Sequence, residues 1–175
     1  DLLQWSKVYA QYLRRSERVI SHECRNVDRL QRSIQAGHGI LLTPNHCRTA
    51  DPLVMGFLAH AARTHVFAMA SWHLFNQDRW TGWVIRRMGA FSVFREGIDR
   101  QAIDSAIQIL TSAQRPLIIF PEGATSHTND HLHAMLDGVA FIARVAAKKR
   151  QKMFDGAKVV VHPVAIKYVV RGDFQ

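Results

Sequence analysis

Five short apolar runs, separated by stretches of helical periodicity, constrain this chain more than any other feature. The runs are Gly39–Thr43, Val66–Ala70, Ala90–Phe94, Pro116–Phe120 and Lys158–Ile166. Most are apolar at consecutive rather than alternate positions, the pattern of strands buried on both faces. Helical patterns lie between them at Pro52–Ala62, Trp80–Met88, Asp99–Ser112 and Asp137–Lys149. Parallel strands need a long crossover, usually a helix, to join them. The alternation therefore predicts an α/β fold, a mainly parallel sheet flanked by helices. An N-terminal helical segment precedes it over residues 1–37. There Leu2, Trp5, Tyr9, Tyr12 and Leu13 fall near helical spacing, and a second helix over Val27–Gln35 ends at Gly37. At 175 residues the whole reads as one structural unit, with the α/β domain over 38–175. Because Asp1 is not a start methionine and the chain stops just after a strand-like run, it reads as a piece of a longer protein.

A formal charge of +9 implies an anionic partner, whether nucleic acid, a membrane surface or a phosphorylated small molecule. The cations are scattered, at Arg14, Arg15 and Arg18, at Arg86 and Arg87, and at Lys148, Lys149, Arg150 and Lys152. The last cluster reads as a solvated helix end. The first helix, with Trp5, Tyr9 and adjacent arginines, either lies on an anionic membrane or covers the core as an ordinary amphipathic helix. No run reaches the roughly 18 apolar residues that span a bilayer, so membrane contact is expected to be peripheral. Cys24 and Cys47 lack CxxC spacing and no secretory signal is visible, which points to a reduced, cytoplasm-facing setting.

Ligands of parallel sheets gather at the C-terminal ends of strands. The unusual residues of this chain follow that rule: His46 comes after the first run, Arg95 after the third and Glu122 after the fourth. His46 and Asp51 stand five residues apart. On a continuous helix that spacing would turn them about 140° from each other. Pro52, however, suits the first position of a helix and Asp51 the cap before it. His46 then lies in a turn, and the carboxylate can fold back onto the imidazole. The pair is the minimal equipment for taking a proton from a hydroxyl. Phe120-Pro121-Glu122-Gly123 ends its strand abruptly, proline breaking the ladder and glycine allowing a sharp turn. Glu122 could orient a hydroxyl, anchor an arginine or simply be solvated. Arg95 presents a planar fork suited to phosphate oxygens, or to an ion pair with Glu96, Asp99 or Glu122.

Taken together and in order, these segments resemble the glycerolipid acyltransferase family, typified by 1-acyl-glycerol-3-phosphate acyltransferases. Its marks are a histidine-four-residues-aspartate block, a Gly…Phe…Arg block, a Phe-Pro-Glu-Gly block and a later apolar strand with proline. Here they read His46 to Asp51, Gly89 to Arg95, Phe120 to Gly123, and Val161 to Ile166. The resemblance implies acyl transfer from acyl-CoA or acyl-carrier protein, as co-substrate, to a glycerophosphate or lysophospholipid hydroxyl, with no other cofactor. His46 would be the general base and Asp51 would hold its tautomer. Arg95 would bind the acceptor phosphate, with Glu122 and Gly123 shaping the pocket, and a cavity beside the ring would take the acyl chain. No G-x-S-x-G elbow is present, since the acceptor hydroxyl replaces the serine. The sequence departs from the family at Ala124 and Thr125, where threonine and arginine are usual, and at Met135-Leu136-Asp137-Gly138, where a basic residue is common. One phosphate-binding cation is therefore missing.

Other chemistries compete. His127, His131 and His133 could bind zinc, with Asp130 as a further ligand. Cys47 could be a thiol nucleophile or a small packed residue. An inactive lipid-binding relative is conceivable, and the charge alone would allow a nucleic-acid module, although no matching motif accompanies it.

Overall fold

The computed structural model describes residues 7–94 and 96–170. Trp5, Leu2 and Arg95 lie outside the described residues. In chain order the elements are α1 (Lys7–Ser16), α2 (Val27–Gln35), β1 (Gly39–Pro44), α3 (Asp51–Ala61), β2 (Phe67–Ser71), α4 (Trp72–Phe75), α5 (Arg79–Arg87), β3 (Ala90–Val93), α6 (Arg100–Ser112), β4 (Leu117–Ile118), α7 (Asp137–Met153) and β5 (Val159–Val164). The strands form one sheet in the order β3-β2-β4-β1-β5, and every described pairing is parallel. The predicted α/β class holds.

Alternation along the central strands sorts their side chains onto two cores. Ile40 and Leu42 of β1 and Ile118 of β4 face α2 and α3, joining Leu30, Met55 and Ala59. Leu41, Leu117 and Ile119 face the other way, onto Ala106, Ile107 and Leu110 of α6 and Ile142 and Ala146 of α7. This division follows from handedness. The β1-to-β2 crossover and the β3-to-β4 and β4-to-β5 crossovers step along the sheet in opposite directions, so right-handed connections put their helices on opposite faces. At the start of β1, α6 comes so close that a Cβ on Gly39 would clash with the Leu110 carbonyl oxygen. Only glycine fits there.

Several expectations need correction. Pro116–Phe120 pairs as a strand only over Leu117–Ile118, after which Ile119 donates one further bond to the Leu42 carbonyl before Pro121 ends the ladder. The run over Lys158–Ile166 shortens to Val159–Val164, and Pro163 is tolerated because β5 is an edge strand paired only to β1. Arg150 is no solvated cation. It is buried and donates to the carbonyls of Thr111 and Gly37, satisfying acceptors left open at the ends of α6 and α2. Of the two readings of α1, its aromatic face supports the ordinary one. Tyr9 donates to the Leu53 carbonyl and meets Phe57 edge-on, while Leu13 is fully buried.

Candidate active site

β1 and β4 are neighbours, yet the chain leaves them in opposite directions, to β2 and β5 respectively. The crevice outside their C-terminal ends is where such sheets bind ligands. Two loops meet there. Both backbone groups of His46, in the loop after β1, are tied to the loop after β4: its N–H donates to Glu122 Oε1 at 2.7 Å, and its carbonyl accepts from Ser126 N at 2.7 Å. Glu122 Oε2 accepts from the His133 N–H at 3.1 Å. Glu122 is therefore buried and gives one oxygen to each of two amides, a part that sequence reasoning did not assign to it. Gly123 makes the turn behind it at φ 71°, a conformation that L side chains avoid.

The imidazole lies against the Phe120 ring, centroids 4.2 Å apart. His46 Nδ1 is 3.0 Å from Asp51 Oδ2, so the pair comes together as its spacing suggests. The route differs by one residue. Asp51 is the first residue of α3 and Ala50 is the cap, with Pro52 just inside. The carboxylate makes no cap bond. It turns back instead, and Oδ2 also accepts the Arg48 N–H at 2.8 Å. Asp51 has no exposed surface, whereas the His46 side chain keeps 16% of its own. With Nδ1 committed to the acid, Nε2 has no hydrogen-bond partner among the described residues and is the ring atom left for a substrate.

Sequence reasoning missed three participants. Tyr168 donates its phenolic hydrogen to Asp51 Oδ1 at 2.5 Å, with the Arg48 guanidinium 4.7 Å from its ring centre. Burial, and next the hydrogen bond to Asp51, push its pKa far above the ordinary phenol value, which keeps it a donor. Asn45 extends the β1–β5 pairing with its side chain, donating from Nδ2 to the Ile166 carbonyl at 3.0 Å and accepting the Ile166 N–H on Oδ1 at 2.6 Å. Asn129 repeats the arrangement on the backbone of Tyr168, at 2.7 and 3.0 Å. No local signal announces any of these, since each joins segments at least 39 residues apart.

Cys47 is buried, touching Asn45 and the Ile166 carbonyl. Burial and then the negative charges of Asp51 and Glu122 raise its thiol pKa, the opposite of what a nucleophilic thiolate needs. Ser126 reaches the site only through its backbone, its hydroxyl being directed to the Thr128 carbonyl. Among the described residues no three His, Cys, Asp or Glu side chains are placed to hold a metal ion, and the His131 and His133 rings meet edge to face at 5.2 Å. The expected cavity beside the imidazole is not one of the two described hollows. One, of about 470 Å³, is lined by Gln11, Arg14, Arg15, Arg18 and Ile20. The other, of about 360 Å³, lies by Gln31, Ile34 and Ala61–Arg63.

The fold and site define a class of α/β proteins in which a parallel sheet carries a buried carboxylate and, hydrogen-bonded to it, a partly exposed imidazole on its C-terminal rim. The sequence narrows the class. Residues 21–167 match the family described as Acyltransferase, and the chain belongs to that family. Over 107 residues it is 39% identical to the 1-acyl-sn-glycerol-3-phosphate acyltransferase of Streptococcus pneumoniae, an alignment covering 61% of this chain and 37% of that protein. The chain thus spans well under half the length of this curated relative. No solved structure matches it significantly.

Proposed function

We propose that the chain is the catalytic part of an O-acyltransferase that moves a fatty acyl group from acyl-CoA or acyl-carrier protein to the hydroxyl of a glycerophosphate or lysophospholipid. The observation that carries this reading is the 3.0 Å contact between His46 Nδ1 and the buried Asp51 carboxylate. An Nδ1–H donated to Asp51 leaves the Nε2 lone pair to accept a proton. As the acceptor oxygen attacks the thioester carbonyl, Nε2 takes its hydrogen, and Asp51 stabilises the imidazolium that results. Collapse of the tetrahedral adduct breaks the carbon–sulfur bond, and the departing thiolate recovers the proton from His46. No covalent acyl-enzyme is needed, which agrees with the buried, thiol-state Cys47 and the averted Ser126 hydroxyl.

The name of the pneumococcal relative supports a phosphorylated glycerol acceptor. In this reading Arg95 binds that phosphate. Glu122 and Gly123 shape the floor of the same crevice. The +9 charge and the exposed Trp80 and Trp83 support work at an anionic membrane surface, on its cytoplasmic face. No helix among the described residues is long and apolar enough to cross a membrane.

The test is thiol release from acyl-CoA in the presence of a lysophospholipid. His46→Ala is expected to lower turnover by about 10²–10⁴-fold, the usual worth of a general base, without changing the circular dichroism spectrum. Turnover undiminished in that variant would end the proposal.

A further inference from the structure

The geometry points to Tyr168 as the positioning residue of the catalytic pair, held in place by the side-chain amides of Asn45 and Asn129. The inference rests on the acyl-transfer reading of His46 and Asp51 and adds a third group that the family motifs do not contain.

Asp51 has no exposed surface and its Oδ2 already serves His46 and Arg48. Among the described residues, Oδ1 has one donor, the Tyr168 hydroxyl. A buried carboxylate oxygen without a donor is costly, and a carboxylate free to rotate would carry Oδ2 away from Nδ1. The phenol therefore fixes the angle of the carboxylate and, through it, the plane of the imidazole.

Tyr168 belongs to no strand or helix, since β5 ends at Val164. A tyrosine four residues beyond a strand would ordinarily be free to swing. Here the backbone is pinned twice, at Ile166 by Asn45 and at Tyr168 by Asn129, each amide both donating and accepting. Asn45 adjoins His46 in sequence, and Asn129 lies in the loop after β4 that also holds the His46 backbone. The two loops that place the base are thus the two that place the phenol.

The hydroxyl also sets how strongly Asp51 acts on the ring. Without it the carboxylate is free to turn Oδ2 away from Nδ1, and Asp51 steadies the imidazolium less. The other charged or titratable groups about the pair are Arg48, Cys47, Glu122, His133 and the Lys167–Asp130 ion pair. Tyr168→Phe leaves all of them in place and keeps a ring beneath Arg48.

The experiment compares wild type, Tyr168→Phe and Asn129→Ala. Steady-state rates are taken across pH, and the His46 ring is titrated by NMR in the same proteins. For Tyr168→Phe the expected result is a kcat about tenfold lower, as for loss of a hydrogen bond to a charged group, with acceptor KM unchanged. The acid limb and the ring titration should both move to lower pH, because the imidazolium loses part of its carboxylate partner. Asn129→Ala, in which the phenol is kept but its backbone loosened, should move both in the same direction and less far; it also covers the case in which Tyr168→Phe does not fold. Should the variants lose thermal stability while the acid limb and the ring titration stay where they are, Tyr168 is only a packing residue and the inference falls. If wild type shows no turnover but the ring titration shifts as stated, the acyl-transfer reading fails and the positioning role stands.

Discussion

Asp51 is a carboxylate taken wholly out of water, and such a group stays charged only where donors surround it. Among the described residues it has three: the His46 ring, the Arg48 N–H and the Tyr168 hydroxyl. Asp51→Asn offers an N–H2 where an acceptor is required and removes the charge that steadies the imidazolium. In an acyl-transfer assay it should cost about 10²–10⁴-fold in kcat, comparable with losing the base itself, and a rate within a few fold of wild type would show that the pair does not act as a unit. Glu122 poses a different question. Its two oxygens hold the N–H groups of His46 and His133, so Glu122→Gln must set an amide N–H2 against one of them. The expected loss is about 1–3 kcal/mol of stability, seen as a lower melting temperature, with kcat reduced and acceptor KM little changed. An acceptor KM that rises while the melting temperature holds would instead make Glu122 a substrate contact. His46 and Asp51 were legible in the sequence because five residues and a proline determine how a chain can fold back. Tyr168 was not, because nothing in a sequence tells which distant phenol will reach a buried acid.

Elements were legible where periodicity and punctuation agree. Val27–Gln35 is a helix with the expected bounds, and α3, α5 and α6 fall within a residue of expectation at each end. Asp78 and Asp99 cap α5 and α6 through their side chains, the kind of signal a sequence carries openly. The four-residue α4 was missed, being too short to show a period. The helix α7 runs to Met153 rather than Lys149, because its basic end includes Arg150, which reaches buried carbonyls instead of water. Another contact between elements yields a prediction. His162 on β5 meets Ser33 on α2, with Nε2 and Oγ 2.9 Å apart, and burial lowers its pKa below the ordinary 6.5. The unfolded chain then takes up a proton at a pH where the folded one does not. Stability is full above about 6.5 and declines as pH falls from there toward the lowered value. His162→Gln, which can still bond Ser33, should flatten that decline in denaturant titrations run between neutral and mildly acid pH. An unchanged slope would mean that His162 does not carry the effect.

At the scale of the molecule, the strand order β3-β2-β4-β1-β5 was the part that no periodicity reveals, because order is set by which crossover packs beside which. It matters for function, since inserting β4 beside β1 brings Glu122 under His46 from 76 residues away. Charge is the other whole-molecule property. The +9 excess is spread over several elements, and the aromatic groups that could accompany it at a lipid surface are found on more than one helix. Tyr9 is turned inward onto α3, whereas Trp80 is 78% exposed and its ring lies 6.5 Å from that of Trp83, over which Arg87 sits at 5.2 Å. If charge drives the protein to a bilayer, vesicles with anionic headgroups should co-sediment it and neutral ones should not. Raising salt from about 0.1 M to about 1 M shortens the Debye length from about 10 Å to about 3 Å and should release most of it. Tyr9→Phe should leave vesicle binding unchanged, because that ring faces the core, while Trp80→Ala should weaken it by removing an exposed interfacial side chain. Binding to neutral vesicles that salt does not weaken would show that the cations are not what brings this protein to lipid.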